Sequence, residues 1–250
     1  MNSSIHCRIL AVAAAAVAFG PMGSAAFAFN LVPPEDALTN TQYNALNAFS
    51  NVEGLEAPGV ENQLLDPELL VASGTGPIDV FFINEGAGFR NALKVVIDGD
   101  PLQTIFPDVA SPASLNPELD GPLSLGEGRR LGDLAAGAIL DFFIDTGNRI
   151  YGADDAENPD GLQHVIARSL TVEGDDFVLI GFEDLFGPLG ATTPPNEESD
   201  RDFNDVVFAV RGIAGEPIHE TPTGVPEPGS AIALLGLGLL GLAKRARRTA

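Results

Sequence analysis

The chain has 250 residues, with 35 acidic against 13 basic and a formal net charge of −22 at neutral pH. That length suits one domain with short appendages. So negative a surface repels nucleic acid and anionic lipid, and a single cysteine, Cys7, permits neither an intrachain disulfide nor a cysteine metal site.

At the N-terminus, Arg8 precedes the apolar run "ILAVAAAAVAFG" (Ile9 to Gly20), and Ala26-Phe27-Ala28 offers a small-residue cleavage site. This pattern predicts a secretory signal over residues 1–28, cut between Ala28 and Phe29, with an uncleaved anchor helix as the alternative. Cleavage removes Cys7 and leaves a mature chain without thiols on an export route that permits disulfides. Residues 29–76 form a lead-in, in which Tyr43, Leu46 and Phe49 fall at the spacing of one short helix.

From Ile78 onward, short β-rich runs alternate with Gly, Pro and Asp punctuation. The strongest are Ile78 to Ile83, Ala92 to Asp98, Ala138 to Asp145, His164 to Leu170, Phe177 to Glu183 and Val206 to Gly212; "RRLGDL" (Arg129 to Leu134) adds another. Crossover helices of the length a parallel sheet requires are missing. The expected fold is therefore all-β: one antiparallel β-sandwich of jelly-roll type over residues 77–212. "FPDVASPASLNPELDGP" (Phe106 to Pro122) reads as a proline-rich excursion between strands, "ATTPPNEESD" (Ala191 to Asp200) as a long loop, and residues 213–224 as a linker.

Residues 29–224 hold 8 basic and 34 acidic residues, a net of −26. Such a body attracts cations, above all Ca²⁺, which takes carboxylate and carbonyl oxygens. A merely solubilising acidic surface is the alternative.

The C-terminus combines Pro226-Glu227-Pro228, the 13-residue apolar run Ala231 to Ala243, and the basic end Lys244 to Arg248. As a helix that run spans ~20 Å, short for a bilayer core of about 30 Å unless flanking lysine and arginine snorkel. The basic end is expected to stay cytoplasmic. In order and position these features closely resemble the PEP-CTERM sorting signal, here residues 225–250. The resemblance implies exosortase as a partner, transient membrane anchoring through the C-terminal helix, and release to the cell surface or extracellular matrix of a Gram-negative exopolysaccharide producer.

The densest chemistry lies in "SDRDFNDVVFAV" (Ser199 to Val210), where Asp200, Asp202, Asn204 and Asp205 lead directly into an apolar strand. "LIGFEDLFG" (Leu179 to Gly187) ends another strand with Glu183 and Asp184. If the two strands pair, both acidic groups share one end of the sandwich, where crowded carboxylates repel unless a cation compensates. The D-x-D-x-N spacing starts like an EF-hand but departs from it at Asp205 and Arg211, and a strand follows instead of a helix. Turn chemistry alone is the competing account, since Asp and Asn also cap backbone donors.

"GFEDL", a loop and "DRDFNDVVFAV" together resemble the signature of the DUF4114 domain. Weaker likeness extends through "NPDGLQHVIA" (Asn158 to Ala167) and "FFINEGAGFRNAL" (Phe81 to Leu93). The resemblance implies a β-rich extracytoplasmic module with a Ca²⁺ site built from Glu183, Asp184, Asp200, Asp202, Asn204 and Asp205. Successive strand residues point to opposite faces, so Glu183 and Asp184 are not expected to serve one ion unless the strand has already ended.

His164 reads as a hydrogen-bonded structural residue. "YGADDAENPDG" (Tyr151 to Gly161) reads as a solvated turn or a weaker cation loop, and "NEGAGFRN" (Asn84 to Asn91) as a glycine connection from which Glu85 and Asn91 reach the site if it folds over. No enzymatic activity is expected. An acidic pair such as Glu183 and Asp202 fits a polysaccharide hydrolase on paper, but the mature region has no Trp and only Tyr43 and Tyr151 as tyrosines, which disfavours a sugar-stacking platform. The expected role is structural or adhesive, in contact with exopolysaccharide or surface proteins; a passive acidic matrix component is a third alternative.

Overall fold

The computed structural model describes residues 29–49, 64–115 and 121–218. The predicted signal peptide with Ala26 and Ala28, and the sorting tail with Pro226, Glu227 and Pro228, lie outside them. Among the described residues, no helix is long and apolar enough to cross a membrane.

The body is predominantly β. Strands β1 (Asn30–Leu31), β2 (Leu64–Leu65), β3 (Val71–Ala72), β4 (Gly76–Asn84), β5 (Asn91–Ile97), β6 (Gln103–Val109) and β7 (Gly128–Leu134) come first. They are followed by β8 (Leu140–Asp145), β9 (Ile150–Tyr151), β10 (Val165–Val172), β11 (Asp175–Phe182), β12 (Val206–Arg211) and β13 (Ile213–Ala214). One sheet has the order β1-β7-β4-β12-β11-β10-β2 and a second the order β6-β5-β8-β9, while β13 pairs with β3. All the pairings are antiparallel.

The two larger sheets share one core. Val80 and Phe82, Val178, Ile180 and Phe182, and Val206, Phe208 and Val210 face Leu93, Val95, Leu140, Phe142 and Ile144. Phe142 and Phe208 meet across the interface with ring centroids 5.1 Å apart. Strands β5 and β8 alternate buried and half-buried residues, as a sheet with one face in the core requires. In contrast, the end of β4 and nearly all of β12 are buried throughout.

The reason is a second apolar layer. Phe81, Ile83, Phe177, Leu179, Val207 and Ala209 project from the other face of the seven-stranded sheet and pack with Leu46, Tyr43 and Phe49. Those three residues belong to α1 (Asn40–Asn47) and the turn after it, at the predicted spacing. Thr39 and Gln42 close its first turn as a reciprocal capping box, an arrangement that satisfies two otherwise orphaned N–H groups. The helix is fastened by Gln42 Nε2 donating to Asp175 Oδ2 at 2.8 Å and Asn84 Nδ2 donating to Asn47 Oδ1 at 2.7 Å.

The lead-in is also held electrostatically. Buried Asp79 accepts from Arg130 at 2.7 Å and Arg211 at 2.8 Å, and Arg130 reaches Asp36 at 2.7 Å. Burial pushes the Asp79 carboxyl up, but the two guanidinium groups outweigh it and hold the carboxyl below its usual range.

The proline-rich excursion begins later than its composition suggests. Residues Phe106 to Val109 belong to β6 even though Pro107 interrupts them. The strand lies at the edge of its sheet, where one side of the backbone needs no ladder donor and proline is tolerated.

Candidate metal site

Strand β11 carries the chain to Glu183 and Asp184 at one end of the sandwich, and β12 leaves from the same end after Asp205. Their register pairs Phe182 with Val206, so the acids before and after those residues become neighbours. Within β11, Leu179 packs on the helix side of the sheet and Ile180 and Phe182 on the other. The strand ends at Phe182, so the two acids are told apart by their partners rather than by the pleat: Glu183 bonds Ser199 and Asp184 bonds Asn91.

Glu183 is fully buried. Its Oε1 accepts from Ser199 Oγ at 2.8 Å, while Oε2 has no hydrogen-bond partner. Its backbone is clamped by His164: the Glu183 N–H donates to the His164 carbonyl at 3.1 Å, and His164 Nδ1 meets the Glu183 carbonyl at 2.7 Å. The second contact requires the hydrogen on Nδ1. The opposite ring nitrogen faces Asp160 at 3.0 Å, and the ring stacks on Tyr151 at 3.9 Å. His164 is thus a structural residue that fixes the carboxylate's position.

The loop before β12 delivers the other oxygens. Arg201 and Phe203 both adopt φ of 57°, a left-handed conformation that costs non-glycine residues on the order of 1 kcal/mol each. The Asn204 N–H donates to Asp202 Oδ1 at 3.0 Å, and the Asn204 carbonyl accepts from Gly86 at 3.1 Å. Those bonds brace Asp202 against the β4–β5 connection. The long loop ahead of it is stapled where Gly190 donates to the Ser199 carbonyl at 2.8 Å and Glu197 pairs with Arg149 at 2.7 Å.

This folding brings Glu183, Asp200 and Asp202 together, each offering a carboxylate oxygen within 4.8 Å of the others. Asp200 is exposed and the other two are buried, so the cluster opens to solvent on one side. Asp184 and Asp205 lie next to it as a pair. Asp205 Oδ2 accepts from the Asp184 N–H at 2.7 Å, and Asp184 Oδ2 accepts from Asn91 Nδ2 at 2.6 Å. The six predicted residues therefore share one end of the fold, but only three of them form a single ring of carboxylates. The Asn204 backbone supplies the two bonds that brace Asp202.

The electrostatics of this end are unfavourable to bare carboxylates. Burial pushes Glu183 up to about 7, and the negative charge of Asp200 adds to that while the Ser199 hydroxyl opposes it. Burial likewise pushes Asp184 up to about 6. Asp205 is raised well above its ordinary value, by burial first and then by the charges of Asp184 and Glu183. A hard divalent ion satisfies such a set, because it takes six to eight oxygen ligands and offsets their mutual repulsion.

Two contributors have little or no signal in the sequence. Ser199 is buried and bonds Glu183 across 16 residues. Gly181 has a signal only in being an isolated glycine within a strand, a mark of close backbone approach. A methyl group there would overlap the Phe203 carbonyl oxygen. Gly181→Ala is accordingly expected to displace the Asp200–Asp205 loop and destabilise the fold by about 1–3 kcal/mol. Denaturant unfolding of the variant measures the cost, and an unchanged midpoint would show that the loop does not rest on β11.

The acidic turn Tyr151 to Gly161 is ordered by its own side chains. Asn158 Oδ1 accepts from Gly152 and its Nδ2 donates to the carbonyls of Gly152 and Leu162. Asp160 accepts from the Gly187 N–H at 2.8 Å as well as facing His164. Asp154 and Glu157 line a separate acidic pocket with Glu68 and Asp141.

Residues 133–213 match the family model "Domain of unknown function (DUF4114)", and residues 224–248 match the "PEP-CTERM protein-sorting motif". No curated protein matches the chain. Among solved structures, a Ralstonia solanacearum high-affinity mannose-binding lectin aligns at 12% identity over 56% of this chain and 92% of its own, with a TM-score of 0.30. The sorting motif implies processing by exosortase and export with sorting to the cell envelope of a Gram-negative bacterium. The candidate metal site falls inside the first matched segment, and the chain is a PEP-CTERM sorting-motif protein that carries a DUF4114-type domain.

Proposed function

We propose that this is an exported surface or extracellular-matrix protein whose β-sandwich binds Ca²⁺ at its acidic end, with a structural or adhesive role in exopolysaccharide. The observation that carries the reading is the ring of Glu183, Asp200 and Asp202, three carboxylates within 4.8 Å of one another. All the donors are hard oxygens, which suits Ca²⁺. Export favours it too, since Ca²⁺ is plentiful outside the cell and extracellular modules bind it with Kd of about 10⁻⁴–10⁻³ M. Once bound, the ion neutralises the acids and couples the Asp200–Asp205 loop to β11, giving matrix polysaccharide a rigid loop surface to contact. The protein is transiently anchored by its C-terminal segment before processing.

The role proposed is binding rather than catalysis. A hydrolase built on Glu183 and Asp202 needs a sugar to reach both carboxyls, and Glu183 has no exposed surface. Co-sedimentation of the protein with exopolysaccharide from the cells that make it tests the proposal. Retention is expected in millimolar Ca²⁺, with release in EDTA and loss in Asp202→Asn. Equal sedimentation in Ca²⁺ and EDTA would contradict Ca²⁺-dependent adhesion. Release of reducing sugar that vanishes with Glu183→Gln would replace the binding role with a hydrolytic one.

A further inference from the structure

Asp184 is not part of the Glu183 ring, and what it meets is unusual. Its Oδ2 is bonded to Asn91 Nδ2, but its Oδ1 has no partner and neither does Asn91 Oδ1, although both residues are 1% exposed. Glu85, the first residue of the β4–β5 connection, feels the charge of Asp184 and is fully buried. Its Oε2 accepts from Ser114 Oγ at 2.8 Å, whereas its Oε1 is also without a partner. Three buried oxygens are thus left without a partner among the described residues, two from the ends of the β4–β5 connection and one from the residues after β11, with Asn91 bonded to Asp184 and Glu85 close enough to feel its charge.

Such atoms are rare in folded proteins, because a buried acceptor without a donor costs about 1–3 kcal/mol. Among the described residues the neighbouring donors are already engaged. The amide nitrogen of Asn91 already serves Asp184, and the Ser114 hydroxyl already serves Glu85. Around these oxygens the charges that raise Glu85 are those of Asp184 and Asp108, both negative. Arg90 pairs with Asp108 Oδ2 at 3.1 Å, and what the three unpartnered oxygens still lack among the described residues is a positive centre with several coordination positions and a preference for oxygen.

We infer that Glu85, Asn91 and Asp184 form a second divalent-cation site, separate from the ring of Glu183, Asp200 and Asp202. Two carboxylates and one amide oxygen match the donor types of a Ca²⁺ site, and the absence of nitrogen or sulfur ligands disfavours Zn²⁺. Asp108, whose Oδ1 is buried without a partner, stands at its rim. Asp205 connects the two sites, since its carboxyl lies against Asp184 and feels the charges of both Asp184 and Glu183. The inference extends the Ca²⁺ reading of this end of the sandwich, but it rests on different oxygens, so either site can fail alone.

The test is an ion count on the full-length chain, purified in mild detergent, stripped of divalent ions and dialysed to equilibrium against radioactive Ca²⁺ at neutral pH. Two ions per chain are expected, with Glu85→Gln and Asn91→Ala each retaining one and Asp202→Asn retaining the other. One ion in the wild type, kept by Glu85→Gln and lost in Asp202→Asn, would overturn the second site and leave the first standing. One ion lost in Glu85→Gln and kept by Asp202→Asn would support the second site and overturn the first. A wild-type count of zero would overturn both, and that count does not depend on whether any variant folds.

Discussion

Without divalent ions, the protein is expected to lose stability as pH rises from about 5 to 8, and Ca²⁺ to remove that loss. Glu183 and Glu85 are raised to about 7 and Asp184 to about 6, in each case by burial first. In the unfolded chain the same groups titrate near 4. Between those limits the native state holds more protons than the unfolded state, so stability must fall as pH increases through the window. Carboxylates held low by partners, such as Asp79 and Asp145, act oppositely, but only below about pH 4, where their unfolded forms take up protons. Bound Ca²⁺ takes the place of the protons and favours the ionised cluster. At about 100 times Kd one site adds roughly 2.7 kcal/mol, or about 5–10 °C in Tm for a domain of this size. Thermal melts in EDTA and in about 10 mM Ca²⁺, at pH 5 and pH 7.5, measure this directly. The Ca²⁺-induced rise should be largest at pH 7.5 and nearly absent at pH 5; a rise independent of pH would show that these carboxylates are not the ligands.

Asp205→Asn should produce opposite effects with and without the ion. The asparagine side-chain oxygen can still accept the Asp184 N–H that Asp205 Oδ2 holds at 2.7 Å. What disappears is a buried acid whose ionisation is opposed by burial and by the charges of Asp184, Glu183 and Asp202. In EDTA the variant is therefore expected to be at least as stable as wild type, with an advantage that grows as pH rises and the wild-type acid is driven to ionise. In Ca²⁺ the order should reverse, because the charge that favoured the ion is gone. Stability traded for a binding function is a recurring feature of such sites. Melting curves of the two proteins under both conditions decide it. Were the loop only a turn, Asp205→Asn would shift both curves equally.

The sequence reveals the strands at this site more readily than their partners. Runs such as Val206 to Val210 are legible because a strand buried on both faces is apolar at every position, and the second apolar layer from α1 makes β12 such a strand. The helix is legible from Tyr43, Leu46 and Phe49. Strand β6 is not, because Pro107 signals a loop and only the strand's edge position excuses it. The acids Glu183, Asp200 and Asp202 could be nominated because two paired strands bring the acids at their ends together. Their surroundings could not, since they are long-range: Asn91 meets Asp184 across 93 residues, and Ser114 meets Glu85 across 29. No local spacing encodes such contacts. The strand pleat could not settle the separation of Glu183 from Asp184, because β11 ends at Phe182; that Glu183 bonds Ser199 while Asp184 bonds Asn91 required the fold.

The central claim is that the ring of Glu183, Asp200 and Asp202 holds Ca²⁺. Its most direct test is a calorimetric titration of the full-length chain with Ca²⁺ at pH 7.5, compared with Asp202→Asn. Saturable binding with Kd near or below about 10⁻³ M, accompanied by proton release and weakened at least tenfold in the variant, is the expected result. An absence of saturable binding up to about ten times that concentration, or binding unchanged in Asp202→Asn, would contradict it.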